Sequence, residues 1–182
     1  MAHLRSLPTD LLDRVAQGSH YAPHDVLGAH RSEGSVILRT VRHLAESVTF
    51  HIGGEKIPAT HEHRGIWTAE IPGEDIPGYE VEARYEDGSR TRGCDPYQFL
   101  PTLGEIDLHL IGEGRHEHLW TVLGAHLREL DAPGSGQQVQ GTSFAVWAPN
   151  ARAVQVIGDF NGWDGAGSSM RTLGNSGVWE VF

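Results

Sequence analysis

The chain has 182 residues, room for one domain of ordinary size or two small ones, and too few for a single catalytic barrel of about 250 residues. Its 14 Lys+Arg stand against 24 Asp+Glu, a formal charge of -10 that repels nucleic acid and anionic membrane and leaves neutral or cationic partners. A hydrophobic fraction of 38% is that of a globular protein, and 23 Gly with 9 Pro favour turns over long helices, hence an all-β reading. Cys94 is the single cysteine, so no internal disulfide framework or thiolate zinc cluster can form, which fits a reducing cytoplasm. Asp10, Asp13 and Arg14 interrupt the apolar residues near the amino terminus, where no secretion signal is expected, and nowhere do 18 apolar residues run together to span a bilayer.

In chain order, the first predicted element is a short helix from about Thr9 to Gln17, with Thr9 as cap, Leu11, Leu12 and Val15 on one face and Gly18 at its left-handed end. The period then changes from helical to alternating. Val36–Val41 and Val48–Ile52 read as strands, Gly53-Gly54 joins the latter to Glu55–Ile57, and Ile66–Ile71 comes next. In the next hairpin Tyr79, Val81, Ala83 and Tyr85 alternate with charged residues, and Asp87-Gly88 supplies the turn before Ser89–Arg92. A second helix is expected at about Gly114 to Leu123, stopped by Gly124, and a polar, Gly-rich loop at Asp131–Gln138. Beyond it Thr142–Trp147, Ala153–Ile157 and Val178–Phe182 again have the length and composition of strands.

A repeat organises these elements: Val26-Leu-Gly-Ala-His30 returns as Val122-Leu-Gly-Ala-His126. Downstream, Ser35–Leu38 aligns loosely with Ser143–Val146, and Gly65-Ile-Trp-Thr68 with Gly177-Val-Trp-Glu180. The expected fold is therefore all-β, two tandem antiparallel immunoglobulin-like β-sandwich modules, each preceded by a short helix, with a helical segment 1–18, a first module 19–112 and a second 113–182. About thirty residues after Trp67, including the Tyr79–Arg92 hairpin, have no counterpart after Trp179. The second module is thus expected to be incomplete, and Phe182 not to be the natural carboxyl terminus, because a sheet lacking its closing strands exposes an apolar edge.

The sharpest motif is Gly158-Asp-Phe-Asn-Gly-Trp-Asp164, which comes after a strand and places Asn161-Gly162 in a tight turn that pushes Trp163 outward. An exposed indole can stack on the apolar face of a glucose ring, with amide and carboxylate groups reaching its hydroxyls; the alternative is that Trp163 plugs the end of the core. Trp67, Trp147 and Trp179 fall within strands and read as core. His61-Glu-His63 and His116-Glu-His118 each pair two imidazoles but supply no third ligand at a metal spacing, so they read as surface histidines with no metal site. Glu74-Asp75 and Glu80/Glu82 read as loop and solvent-face charges, and phosphate-loop and dinucleotide motifs are absent, so no cofactor is expected.

Val146-Trp-Ala-Pro-Asn-Ala151, Gly158–Asp164 and Ser176-Gly-Val-Trp-Glu180 resemble the starch- and glycogen-binding β-sandwich module that precedes the catalytic barrel in many α-amylase-superfamily enzymes. Pro23–His30, Tyr79-Glu-Val-Glu, Arg92–Phe99 and the tandem arrangement narrow the resemblance, which covers about Leu11 to Phe182, to the amino-terminal half of bacterial 1,4-α-glucan (glycogen) branching enzymes. The resemblance implies an enzyme that cuts an α-1,4-glucan and rejoins the released chain by an α-1,6 bond through a retaining double displacement, using two carboxyl groups about 5 Å apart. In that family these lie in a barrel after the second module, so no catalytic residue is assigned here. What carries over is binding: Trp163 as the stacking residue, Asn161 as its hydrogen-bonding neighbour, α-glucan or glycogen as ligand, and the enzyme's own barrel as docking partner. The first copy lacks the Phe-Asn-Gly-Trp signature and reads as a spacer or chain-length modulator. A stand-alone glycogen-binding module, or the same module from a debranching or trehalose-forming enzyme, is the alternative.

Overall fold

The computed structural model describes residues 7–182; residues 1–6 of the expected helical segment 1–18 lie outside that range. Helix α1 (Thr9–Ala16) buries Leu12, Val15 and Ala16. Pro8, not Thr9, sits at its N-cap, with no side-chain cap. Its end is the expected one: Gly18, at φ 65°, completes a Schellman turn in which Gly18 N–H donates to Val15 O (3.0 Å) and Ser19 N–H to Arg14 O (2.8 Å).

Eight strands make up the first module: β1 (Gly28–Ser32), β2 (Ser35–Val41), β3 (Ala45–Ile52), β4 (Glu55–Pro58), β5 (Thr60–His63), β6 (Ile66–Pro72), β7 (Glu80–Tyr85) and β8 (Arg90–Cys94). They pair as two antiparallel sheets, β1-β2-β6-β5 and β4-β3-β7-β8. Alternating residues of β2 and β6 (Val36, Leu38, Trp67, Ala69) meet those of β3 and β7 (Val48, Phe50, Val81, Ala83) to form the core of a sandwich. Each large apolar side chain fully buried there contributes about 1.5–3 kcal/mol. On the outer face of β2, Arg39 is buried and forms a two-pronged pair with Glu62, Nε to Oε2 at 2.7 Å and Nη2 to Oε1 at 3.1 Å.

The second half contains helix α2 (Glu105–Gly112) and strands β9 (Gly124–Asp131), β10 (Gln138–Trp147), β11 (Arg171–Thr172) and β12 (Val178–Val181), in the antiparallel order β11-β12-β10-β9. One face of this sheet packs Ala145, Leu173 and Val178 against Leu108 and Ile111 of α2; the other packs Phe144, Trp179 and Val181 against residues 148–170.

The second helix therefore lies before the expected Gly114–Leu123, which forms a turn and a short 3-10 segment at Leu119–Thr121. The glycine that ends it is Gly114, at φ 66°, whose Schellman bonds (Gly114 N–H to Ile111 O, 3.0 Å; Arg115 N–H to Leu110 O, 2.9 Å) repeat those of α1. Gly124, at φ 105°, instead opens β9. Ala153–Ile157 is not a regular strand: it makes one bridge, Gln155 to Ser169, with Val156 N–H bonding Ser168 O and Met170 N–H bonding Val154 O.

The repeat is structural as well as textual. Gly28 (φ 94°) and Gly124 (φ 105°) both open the first strand of a sheet after a 3-10 turn, and His30 and His126 both donate from Nε2 to the carbonyl three residues back (Leu27 O, 3.0 Å; Leu123 O, 2.9 Å). Trp67 pairs with Thr40 and Trp179 with Val146. Their indole N–H groups donate to Arg42 O (3.2 Å) and Ala148 O (3.0 Å), while Arg42 N–H and Ala148 N–H donate to Gly65 O and Gly177 O. This register equates Arg39 with Ala145 through their partners Gly28 and Gly124, so the loose alignment of Ser35 with Ser143 is displaced by two residues.

The two halves are joined by a buried seam. The Tyr97 hydroxyl donates to Ala166 O (3.2 Å) and accepts from Ser169 N–H (3.0 Å), and its ring joins α1, Leu27, Val41 and Ile66 in one apolar cluster with Ala166. Glu180, fully buried, accepts Thr102 N–H (2.8 Å) and pairs with Arg171 (3.2 Å), whose other arm holds Phe99 O (3.0 Å). The His24 ring packs edge-on to Tyr97, and neither of its nitrogens has a partner among the described residues. Burial, with Arg171 and His30 adding to it, pushes its imidazole down to about 3.

His24 is thus neutral in the folded protein, whereas the unfolded chain takes up a proton below about pH 6.5. This group adds nothing above that pH and costs stability as pH falls, by up to about 1.4 kcal/mol per unit, until about pH 3. Urea unfolding measured from pH 8 to pH 4.5 should show a shallower loss of stability in His24→Gln than in the parent; equal slopes would contradict the assignment.

Candidate functional site

The loop after Val156 is built by its own backbone. Gly158 O accepts both Asn161 N–H (3.2 Å) and Trp163 N–H (3.0 Å), and Asp164 N–H donates to Asn161 O (3.1 Å). Asn161 fixes the centre: its Oδ1 accepts Gly158 N–H (3.0 Å) and its Nδ2 donates to Val156 O (2.8 Å) and Ser168 Oγ (3.3 Å). Expected as a neighbour for sugar hydroxyls, Asn161 has its amide committed to the loop itself.

Two consecutive residues are left-handed, Gly162 at φ 60° and Trp163 at φ 62°. Glycine takes this conformation freely, but a bulky residue does so at a cost of about 1–2 kcal/mol, and such outliers concentrate at functional sites. The result is an indole 64% exposed, held by one bond from Nε1 to Asp159 Oδ1 (3.0 Å). Beside it the Phe160 ring, also exposed, stacks on Phe144 with centroids 6.2 Å apart.

A contact that no local motif signals holds the loop to the first module. Asp164 accepts Ala166 N–H through Oδ1 (3.1 Å) and meets His43 Nδ1 through Oδ2 (2.7 Å). His43 lies 121 positions away, in the turn between β2 and β3, so only the register of the two modules could have revealed it.

Of the other tryptophans, Trp67 and Trp179 are buried as expected. Trp147 is not: its indole is 55% exposed, with Nε1 donating to Ser176 O (3.2 Å). It corresponds to Val41, which is covered by α1, Tyr97 and Ala166; no equivalent cover lies over Trp147 among the described residues. Trp120, exposed and edge-on to His118, carries no signal in the sequence because no motif surrounds it.

The paired histidines separate. His61 accepts Gly65 N–H through Nε2 (3.2 Å), whereas His63 meets Asp13 (2.8 Å) and so ties β5 to α1. That hydrogen bond, with Arg64 beside it, holds the Asp13 carboxyl below its ordinary range. His116 turns to Asp107 (3.1 Å) and His118 to Trp120. Glu80 pairs with Arg92, Glu82 with Arg84 and His51, and Glu74 and Asp75 are exposed.

The second of the two linked β-modules presents an aromatic on a braced turn, and a family model gives the class of that module as a carbohydrate-binding β-sandwich. Residues 8–97 match the alpha-1,4-glucan branching enzyme GlgB N-terminal domain, and residues 122–182 match carbohydrate-binding module 48 (isoamylase N-terminal domain). The chain belongs to the amino-terminal, two-module region of the 1,4-alpha-glucan branching enzyme family. It is 50% identical over 171 residues to 1,4-alpha-glucan branching enzyme GlgB of Rhodococcus jostii (strain RHA1), covering 94% of this chain and 23% of that protein. The GlgB proteins of Thermobifida fusca (strain YX) and Frankia casuarinae are 49% and 51% identical, over 94% and 97% of this chain and 23% and 22% of theirs. The chain thus spans less than a quarter of the length of these relatives, and their catalytic region is not covered.

Removing the Asn161 side chain leaves Gly158 N–H and Val156 O without their partners, at about 1–3 kcal/mol. Asn161→Ala should lower the urea midpoint accordingly and shift the Trp163 emission; an unchanged midpoint and spectrum would show that the loop is braced elsewhere.

Proposed function

We propose that the protein is the amino-terminal part of a glycogen branching enzyme, in which it binds and positions α-1,4-glucan while transfer of the cut segment to an α-1,6 branch is carried out by a catalytic barrel outside these residues. The single observation that carries this is Trp163, an exposed indole in a left-handed conformation on a loop whose polar groups brace it. A flat, exposed aromatic face whose one charged neighbour is the Asp159 carboxylate suits a neutral ring with one apolar face and hydroxyls to donate, which is glucose and not a nucleotide or a phosphate. Asn161 acts there as the residue that shapes the turn, and the sugar hydroxyls are left to Asp159 and the loop backbone. Membership of the branching-enzyme region supports α-glucan as the substrate class. No helix among the described residues is long and apolar enough to cross a membrane, and the single, half-buried Cys94 fits the cytoplasm, where glycogen is made.

The barrel as docking partner has its own support. Val41 of the first module is sealed by Tyr97, at the end of that module, and by Ala166 of the second; Trp147, its counterpart, is 55% exposed. By the same chaining, the face around Trp147 receives the unit next in the chain after the second module. Packing of α2 on the second sheet supports a division of the modules at about 99–104 rather than the expected one at 112/113.

Titrating the protein with maltoheptaose while monitoring tryptophan fluorescence tests the binding role. Trp163→Ala should lose most of the fluorescence change and bind at least fivefold more weakly, about 1 kcal/mol for one ring stack, and the parent protein alone should not shift the iodine spectrum of amylose. Equal affinity of variant and parent would overturn the assignment of Trp163.

A further inference from the structure

Between the two modules lies an open groove of about 540 Å³, lined by the β2–β3 turn, the inner edge of β7 and β8, and residues 160–168 of the second module. Its origin is visible in the register. Gly93 pairs with Val81 and Thr91 with Ala83, so both turn toward the sandwich core, yet neither fills it: a Cβ built on Gly93 would meet nothing within 4 Å. The groove is the unfilled edge of the first sandwich, and the sugar-loop motif forms its other wall, with Gly162 and Asp164, the two neighbours of Trp163, among the lining residues.

We propose that this groove is a second part of the glucan site, receiving the glucan chain beyond the ring stacked on Trp163. The occupant rests on the glucan reading of Trp163; the groove's own chemistry supports it independently. Its apolar surfaces are the exposed Phe160 ring, Tyr85 and Leu44. Most of its polar groups have partners: Asp164 meets His43 (2.7 Å), Arg92 pairs with Glu80 (2.6 Å), and the Arg42 guanidinium donates to a backbone carbonyl, Val41 O (2.7 Å), with no carboxylate paired to it among the described residues. A groove with aromatic walls, a threonine hydroxyl and polar groups of both signs rather than a cluster of one charge suits a neutral polyhydroxyl chain better than an anion or a lipid.

Leu44 adds a separate observation. It stands at the lip, 91% exposed and at φ 58°, an energetically costly conformation for a side chain that buries nothing in the folded chain. A second hollow of about 640 Å³, lined by Leu44, Tyr85, Glu86, Asp87 and Ser89, continues the groove past it, so the path exceeds a single sugar ring. The first module, which lacks the Phe-Asn-Gly-Trp signature, then contributes to binding through shape.

The test is an amide-resolved NMR titration of the whole chain with maltoheptaose, repeated on Gly93→Leu, whose Cβ enters open space in the groove, and on Leu44→Gly, which suits the left-handed position. Shifts at residues 159–164 together with Leu44, Tyr85, Thr91 and Gly93 are expected. In Gly93→Leu the groove shifts should vanish while those at 159–164 persist, and both variants should bind maltoheptaose about fivefold more weakly than the parent but maltose equally well. Shifts confined to 159–164, insensitive to Gly93→Leu, would overturn the groove and leave Trp163 standing. Shifts confined to the groove would support it and overturn Trp163, and an absence of shifts in both would overturn both.

Discussion

One buried phenol holds the two modules in register. Tyr97 sits where the first sandwich ends, packs its ring into the cluster under α1, and spends both capacities of its hydroxyl on the backbone of the second module, at Ala166 and Ser169. Burial raises its ionisation, so the hydroxyl stays a neutral donor and acceptor at any physiological pH. The turn that delivers it is fixed by Asp95, whose Oδ1 accepts Tyr97 N–H (3.1 Å). Close approach is possible there because Gly28 has no side chain: a Cβ at that position would come within 2.6 Å of Tyr97 O. The positive φ of Gly28, the repeated Leu-Gly-Ala-His motif and the seam therefore depend on one another.

The seam gives the Trp163 loop its setting. Residues 166–169 anchor to Tyr97, Gln155 donates to the carbonyls of Gln17 and Gly18 beyond the end of α1, and Asp164 reaches His43. The loop that carries Trp163 is thus pinned at both ends to the first module and at its centre by Asn161. A ligand meeting a loop fixed in this way loses little free energy to ordering it, which matters when a single ring stack contributes only about 1 kcal/mol. Under the proposed binding role, association of the two modules is what makes a weak contact usable.

Much of this is legible in the sequence, for identifiable reasons. Val36–Val41, Val48–Ile52 and the Asp87-Gly88 hairpin announce themselves by β-branched runs and turn chemistry, and Gly177-Val-Trp-Glu180 aligns with Gly65-Ile-Trp-Thr68 because each tryptophan must donate to the same carbonyl. Pattern misleads where local signal and tertiary context part. In α2 the apolar residues Ile106, Leu108 and Leu110 recur every second position, as in a strand, while only Leu108 and Ile111 pack on the sheet. In β1 and β9 a Gly-Ala-His start masks a strand that pairing alone establishes. Trp147 reads as core from its place in a strand, and its exposure reflects the missing cover above it. Asn161 and Trp163 stand together in one motif, yet that the first braces the loop while the second is left exposed appears only in the hydrogen bonds and the burial.

The most direct test of this account is a crystal structure of the chain with maltoheptaose, compared with the unliganded protein. A glucose ring should lie flat on the Trp163 indole, with residues 158–164 and their bonds to Asn161 displaced by less than about 1 Å. A loop refolded around the sugar, or a glucan bound with Trp163 untouched, would contradict a site held ready by the joining of the two modules.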